Sequence, residues 1–241
     1  MIIHALIDFD NASQISKIGR SIRPPDLIQL TKLIIGEILK VIRLNNYKPF
    51  EINVRFYSGW HDAQTNRMTD NFIMLSSILR NEPRRISGFR INYKIADSIL
   101  ISPENPFVNT VRVRNLRPNL HIEYPNNCID HANCSLNNVK YWIKNGCPNS
   151  SCLVKSNEVF SVREQKTVDI SIACDLIYLA QQSSEDRILL VSDDDDFMPA
   201  LISASSYGGN LTILRRRLVS LYDNTLKSYS IDISTELPDF Y

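Results

Sequence analysis

Long apolar runs are missing from this chain: no stretch approaches the roughly 20 apolar residues of a membrane span. Excess charge is missing too. With 27 Lys and Arg against 26 Asp and Glu, the formal net charge is +1, which excludes binding to nucleic acid through a global basic field. Any such role has to come from local patches. The segment Met1–Asp8 has no basic leader and no small-residue cleavage site before its first carboxylate, so a secretory signal is not expected. Cysteine is sparse and odd in number: there are five, four of them between Cys128 and Cys152, a pattern unlike a secreted disulfide framework. These absences lead to the expectation of a soluble cytoplasmic protein with no membrane partner. What is present, 44% hydrophobic and 22% charged residues in 241, suits a globular chain with one large domain, or one domain and an insertion.

Apolar periodicity places the elements. Ile2–Ile7 is an apolar run ending in Asp8 and reads as a buried central strand. Pro24-Pro25 opens a helix carrying Leu27, Leu30, Ile34, Ile38 and Val41 on one face. Glu51–Tyr57 alternates as a strand, Asn71–Leu79 has helical spacing, and Phe89–Ile101 and Val108–Val113 are further strand candidates. From about 103 to 159 Pro and Asn punctuate the chain, so this segment reads as a loop-rich insertion. Regular alternation returns with a helix over Lys166–Gln181, a strand over Arg187–Val191, a helix over Met198–Tyr207 stopped by Gly208-Gly209, and a strand over Leu211–Leu214. Strand, helix, strand with acids at strand ends predicts right-handed βαβ units and a parallel sheet.

Function in open parallel sheets gathers outside the carboxyl ends of the strands. Asp8 ends the first strand, Asp193–Asp196 follow Ser192 at the end of a late one, and Asp169 lies in the first turn of a helix. Such carboxylates can also serve as turn or cap residues. Gathered together, they repel unless compensated, and a hard divalent cation, Mg²⁺ or Mn²⁺ in preference to zinc, is the natural compensation.

Three segments, in order, resemble motifs of the NYN family within the PIN-like nuclease superfamily. Leu6-Ile7-Asp8-Phe9-Asp10-Asn11 resembles its strand-end Asp-x-x-Asn. Lys166-Thr167-Val168-Asp169 with Asp175-Leu176 resembles its Lys-x-Val-Asp-x5-Asp-Leu helix. Leu190-Val191-Ser192-Asp193-Asp194-Asp195-Asp196-Phe197-Met198-Pro199 resembles its Val-Ser-Gly-Asp-Ser-Asp-Phe-x-Pro signature. The resemblance implies one Rossmann-like, three-layer α/β domain of the PIN-like kind over 1–241, with a central parallel sheet and the 103–159 insertion. It also implies a metal-dependent ribonuclease. Asp8, Asp169, Asp194 and Asp196 would be the catalytic carboxylates holding Mg²⁺ or Mn²⁺, with Asn11 orienting the first carboxylate or binding substrate and Lys166 at the substrate. A metal-activated water would attack in line and leave 5′-phosphate and 3′-hydroxyl ends. The sequence departs from the pattern at Asp193, where Gly is usual, at Asp195, often Ser, and in having Asp10. Asp175, six residues and roughly 240° round the helix from Asp169, is read as either a structural residue or a support for the site.

Substrate phosphates need cations. Arg80, Arg84, Arg85 and Arg90 form one group, Arg112, Arg114 and Arg117 a second, and Arg215-Arg216-Arg217 a third. The triple Arg is favoured as the substrate-binding group because it follows a strand on the acidic edge. Tyr57 and Trp60 are candidates for base stacking or, more simply, for the core. Cys128, Cys134, Cys147 and Cys152, with His131 as an alternate, supply a tetrahedral set for one structural Zn²⁺ or remain ordinary thiols. RNA is the expected partner, with a protein partner or homodimer left open. Two alternatives stand beside the nuclease. One is a non-catalytic RNA-binding module. The other is a haloacid-dehalogenase-like phosphatase, which Asp8-Phe9-Asp10 also resembles, with Asp8 as nucleophile. That family puts Thr or Val where Ala12 stands and leaves Asp169 and Phe197-x-Pro199 without a role.

Overall fold

Strand β1 (Ile2–Asp8) is apolar on both sides because it is buried on both sides, and everything else is arranged about it. The computed structural model describes residues 1–13, 24–86, 88–107, 110–115, 133–147, 149, 151–152, 154, 161–215 and 227–230. These divide into two units, one of residues 1–110 and 165–241 and one of residues 111–164. In the first, β2 (Glu51–Tyr57) and β6 (Phe89–Ile95) extend the sheet to one side of β1. To the other side lie β9 (Arg187–Val191), β10 (Asn210–Arg215) and β11 (Lys227–Ser230). All these pairings are parallel, and only the two-residue β5 (Arg85–Ile86) runs antiparallel, against β6. The order of strands reverses about β1, so the crevice between the carboxyl ends of β1 and β9 is the topological switch point. A two-residue antiparallel pair, β3 (His61–Asp62) with β4 (Arg67–Met68), lies between β2 and the next helix.

The side-chain period of two sorts each strand onto two faces. Ile3, Ala5 and Ile7 of β1, Ile52, Val54 and Phe56 of β2, and Leu189 and Val191 of β9 share one core. Helices α2 (Pro24–Leu44) and α3 (Asp70–Asn81) pack there, through Leu27, Leu30, Ile34 and Ile38 and through Leu75 and Leu79. Thr69 caps α3 by accepting from the Phe72 amide. Leu6, Ile188, Leu190, Leu211 and Ile213 face the opposite way, onto α5 (Val168–Gln182) and α6 (Met198–Ser206). The result is a three-layer α/β fold, as the resemblance implies, with the mostly parallel sheet that the periodicity predicts. Gly209 allows the turn after α6 to close on α5: a Cβ there would lie 2.8 Å from the Ala180 Cβ and 2.9 Å from the Ala204 carbonyl oxygen.

The differences from expectation have local causes. Helix α1 (Phe9–Ser13) follows β1 without a loop and is too short to show a period. The β6 strand stops at Ile95, before Asp97 and Ser98, and the strand foreseen over 108–113 is β7 (Val111–Asn115). In the second unit, the segment expected to be loop-rich contains α4 (Leu136–Asn145), whose period is hidden by its Asn residues and whose buried residue is Ile143. A further strand, β8 (Ser161–Gln165), leads back to the first unit. Among the described residues, no helix is long and apolar enough to cross a membrane.

Candidate active site

Asp8 is placed by being both the last residue of a buried strand and the residue before a helix. Its side chain is 2% exposed. The Asn11 side-chain amide donates to Asp8 Oδ2 at 2.6 Å, and the Asn11 backbone N–H reaches Oδ1 at 3.4 Å. Ser192 Oγ donates to the same Oδ2 at 2.8 Å, across from the end of β9. Burial pushes the Asp8 carboxyl up to about 6; the bonds from Asn11 and Ser192 oppose this, and Asp10 adds to it. Ser192 was not singled out from sequence, although it lies inside the third motif.

From Ser192 the order continues along the acidic loop. Ser192 Oγ accepts from the Asp194 N–H at 3.1 Å, and Asp194 Oδ1 accepts from the Asp196 N–H at 2.9 Å, capping a one-turn 3₁₀ helix over Asp195–Phe197. Phe197 is buried and anchors the turn in the core. Arg215, the last residue of β10, is buried; its Nη2 lies 2.7 Å from Asp195 Oδ1 and donates to the Asp194 carbonyl at 3.3 Å. Sequence reasoning expected Arg215 to hold substrate phosphate. In the structure its described contacts are to the acidic loop, which β10 meets because it pairs with β9. Arg216 and Arg217 lie outside the described residues, as do the side chains of Arg112, Arg114 and Arg117.

Asp169 comes from the first turn of α5. Its carboxyl is raised, first by desolvation and then by Asp194, Asp196 and Asp10, so the four acids share one electrostatic field. Thr167, just before the helix, has φ +69°, a strained value for a β-branched residue. Lys166 is exposed, and its backbone N–H bonds the Thr110 carbonyl. Asp10 accepts from Gln165 Nε2 at 2.5 Å, and burial raises its carboxyl against the bonds from Ser58, Gln165 and the Gly59 backbone.

Asp175 belongs elsewhere. It is fully buried and accepts from Tyr57 Oη at 2.5 Å and from the Leu100 N–H at 2.6 Å. Arg55 Nε lies 3.3 Å away as an ion pair, without the angle of a hydrogen bond. The structural alternative holds for Asp175. Tyr57 and Trp60 are core residues as well, Trp60 packing against Phe9 and Phe72. Arg90 pairs with Glu51 and Arg84 covers the Tyr93 ring.

Among the described residues, no three His, Cys, Asp or Glu side chains gather as a metal-binding group. The zinc expectation therefore finds no support: Cys134, Cys147 and Cys152 are free thiols that do not come together, and Cys128 and His131 lie outside the described residues. The acidic edge is a different case. Its donors are hard oxygens, Asp8 is buried with a raised proton affinity, and Asp169 feels like charges. These acids do not gather as a three-ligand group either; what they offer is hard oxygen donors, the donor type that a hydrated Mg²⁺ takes through one or two carboxylates with water for the rest.

A three-layer α/β fold with carboxylates at the switch point of a parallel sheet is consistent with a PIN-like fold. The NYN domain model matches residues 103–221, consistent with the family that the three motifs resemble. The matched stretch includes Asp169, Asp194 and Asp196; Asp8 lies outside it and joins the site because β1 pairs with β9. The family points to nuclease activity. No curated protein and no solved structure matches the chain.

Proposed function

We propose that this protein is a divalent-metal-dependent ribonuclease that hydrolyses phosphodiester bonds at the crevice between β1 and β9. The observation that carries the reading is the linkage of two motifs through Ser192, which bonds both the Asp8 carboxylate and the Asp194 amide at the switch point. A bound Mg²⁺ or Mn²⁺ would neutralise the phosphate and make water a better nucleophile. Asp8 would hold the ion, its Oδ2 steered by Asn11 and Ser192. Asp194 and Asp196, presented by the 3₁₀ turn, would complete the acidic surround. Asp169, whose proton affinity is raised by burial and then by its acidic neighbours, is suited to take a proton from the attacking water at its carboxylate. Lys166, beside it, would meet the RNA backbone. In the same reading the whole of 1–241 is one PIN-like domain, and 103–159 is an insertion in it.

Cleavage of an end-labelled single-stranded RNA tests this. Activity is expected with Mg²⁺ or Mn²⁺ and is stopped by EDTA, and Asp194→Asn lowers the rate by about 10²–10³, the scale for losing one transition-state stabiliser. Cleavage that persists in EDTA, or an undiminished Asp194→Asn enzyme, overturns the assignment.

A further inference from the structure

The acidic loop carries two charges more than its function needs, Asp193 and Asp195. Asp195 stands where the resembled motif often has Ser, between the two carboxylates of the proposed acidic surround. Four consecutive aspartates should push their own loop apart and compete for any cation. The compensating group is on the neighbouring strand. The Arg215 side chain is 5% exposed, whereas the Asp195 side chain is 61% exposed, so a buried guanidinium holds an exposed acid. One nitrogen, Nη2, makes both contacts: 2.7 Å to Asp195 Oδ1 and 3.3 Å to the Asp194 carbonyl. Arg215 Nε is buried with no hydrogen-bond partner among the described residues, so the loop contacts are the main compensation for desolvating this cation.

We infer that Arg215 is a positioning residue. It neutralises Asp195 and pins the main chain at Asp194, so that the Asp194 and Asp196 carboxylates face the site without the added charge of Asp195. The loop is then held from two sides, by Ser192 at the Asp194 N–H and by Arg215 at the Asp194 carbonyl. The inference rests on the nuclease reading for its catalytic consequence but not for its structural one. It also reassigns the first arginine of the triple, leaving phosphate contact to residues beyond it or to Lys166.

The pair makes opposite predictions for two roles of Arg215. A clamp affects turnover and Mg²⁺ requirement, and its loss matters less once Asp195 has no charge. A phosphate ligand affects RNA KM and its salt dependence, whatever stands at 195. Wild type, Arg215→Gln, Asp195→Asn and the double variant are compared in RNA cleavage against Mg²⁺ concentration and in urea unfolding in EDTA. Arg215→Gln should lower kcat or Mg²⁺ affinity by about 10- to 100-fold, the usual toll of an outer support of a metal site, with RNA KM within about twofold. The loss in the double variant should be smaller than the product of the single losses. Asp195→Asn, at an exposed position where folding is secure, supplies the sign test. Removing one of four adjacent negative charges should raise the urea midpoint if the acid is merely solvated, and lower it if Arg215 depends on it. A higher RNA KM at unchanged kcat, with the same factor in both backgrounds, makes Arg215 a phosphate ligand and overturns the clamp. Additive urea midpoints overturn it as well. Absence of cleavage by the wild type would sink the nuclease reading, while the urea comparison still decides the clamp.

Discussion

Replacing Asp8 with Asn should make the metal-free protein more stable while removing its activity. Asp8 is 2% exposed, and burial raises its carboxyl from 3.8 to about 6. At about 1.4 kcal/mol for each factor of ten in proton affinity, that displacement corresponds to roughly 3 kcal/mol. The folded pKa lies above the unfolded one, so the contribution is fully present below 3.8 and is lost as pH rises through about 6. At neutral pH the ionised carboxylate is therefore a liability, set against a total stability of about 5–15 kcal/mol for ordinary domains. Asn cannot ionise, yet its amide oxygen can still accept from Asn11 Nδ2 and Ser192 Oγ. What it forgoes is the 3.4 Å contact with the Asn11 N–H. The net gain at pH 7.5 should be about 1–3 kcal/mol once that bond is subtracted. Urea unfolding of both proteins in EDTA, at several pH values between 4.5 and 7.5, measures it. The gap should shrink as pH falls below 6 and should narrow again at pH 7.5 on adding Mg²⁺, which stabilises only the chain able to bind it. A variant less stable than wild type at pH 7.5, or a gap that ignores pH, would refute the reasoning.

Asp10→Asn keeps a side chain that still accepts from Gln165, so RNA cleavage should fall less than about tenfold, against about 10²–10³ for Asp8→Asn. Equal loss in both variants, with phosphate release from an aryl phosphate by wild type, would favour the phosphatase alternative. Asp175→Asn leaves the buried Arg55 charge without its counterion and should cost about 3–5 kcal/mol in urea unfolding, as breaking a buried pair does; a loss below about 1 kcal/mol contradicts the role given to it. Gly209→Ala forces a Cβ against Ala180 and the Ala204 carbonyl and should cost about 1–3 kcal/mol by overpacking, visible as a lower Tm. An unchanged Tm would mean that the turn after α6 yields freely.

Period and motif were enough to place β1, β2, β9, β10, α2, α3, α5 and α6 of the first unit, but not α1, β11 or the two-residue strands. Apolar runs such as Ile2–Ile7 and Arg187–Val191 can be satisfied only by burial on both faces, and helices with one apolar face supply the cover. The carboxylates were legible for the same reason: an acid at the end of an apolar strand stands out against its neighbours. The family assignment rested on those acids and agrees with the matched NYN model. Tertiary structure decided what each polar side chain does, because its partners are remote in sequence. Ser192 meets Asp8 from 184 positions away, and Tyr57 meets Asp175 from 118. Nothing local distinguishes Arg215, spent on the loop, from a phosphate-binding arginine; only the packing of β10 beside β9 points it at Asp195. Likewise α4 escaped notice among its asparagines, since short polar side chains mask a helical period that one buried isoleucine is enough to anchor.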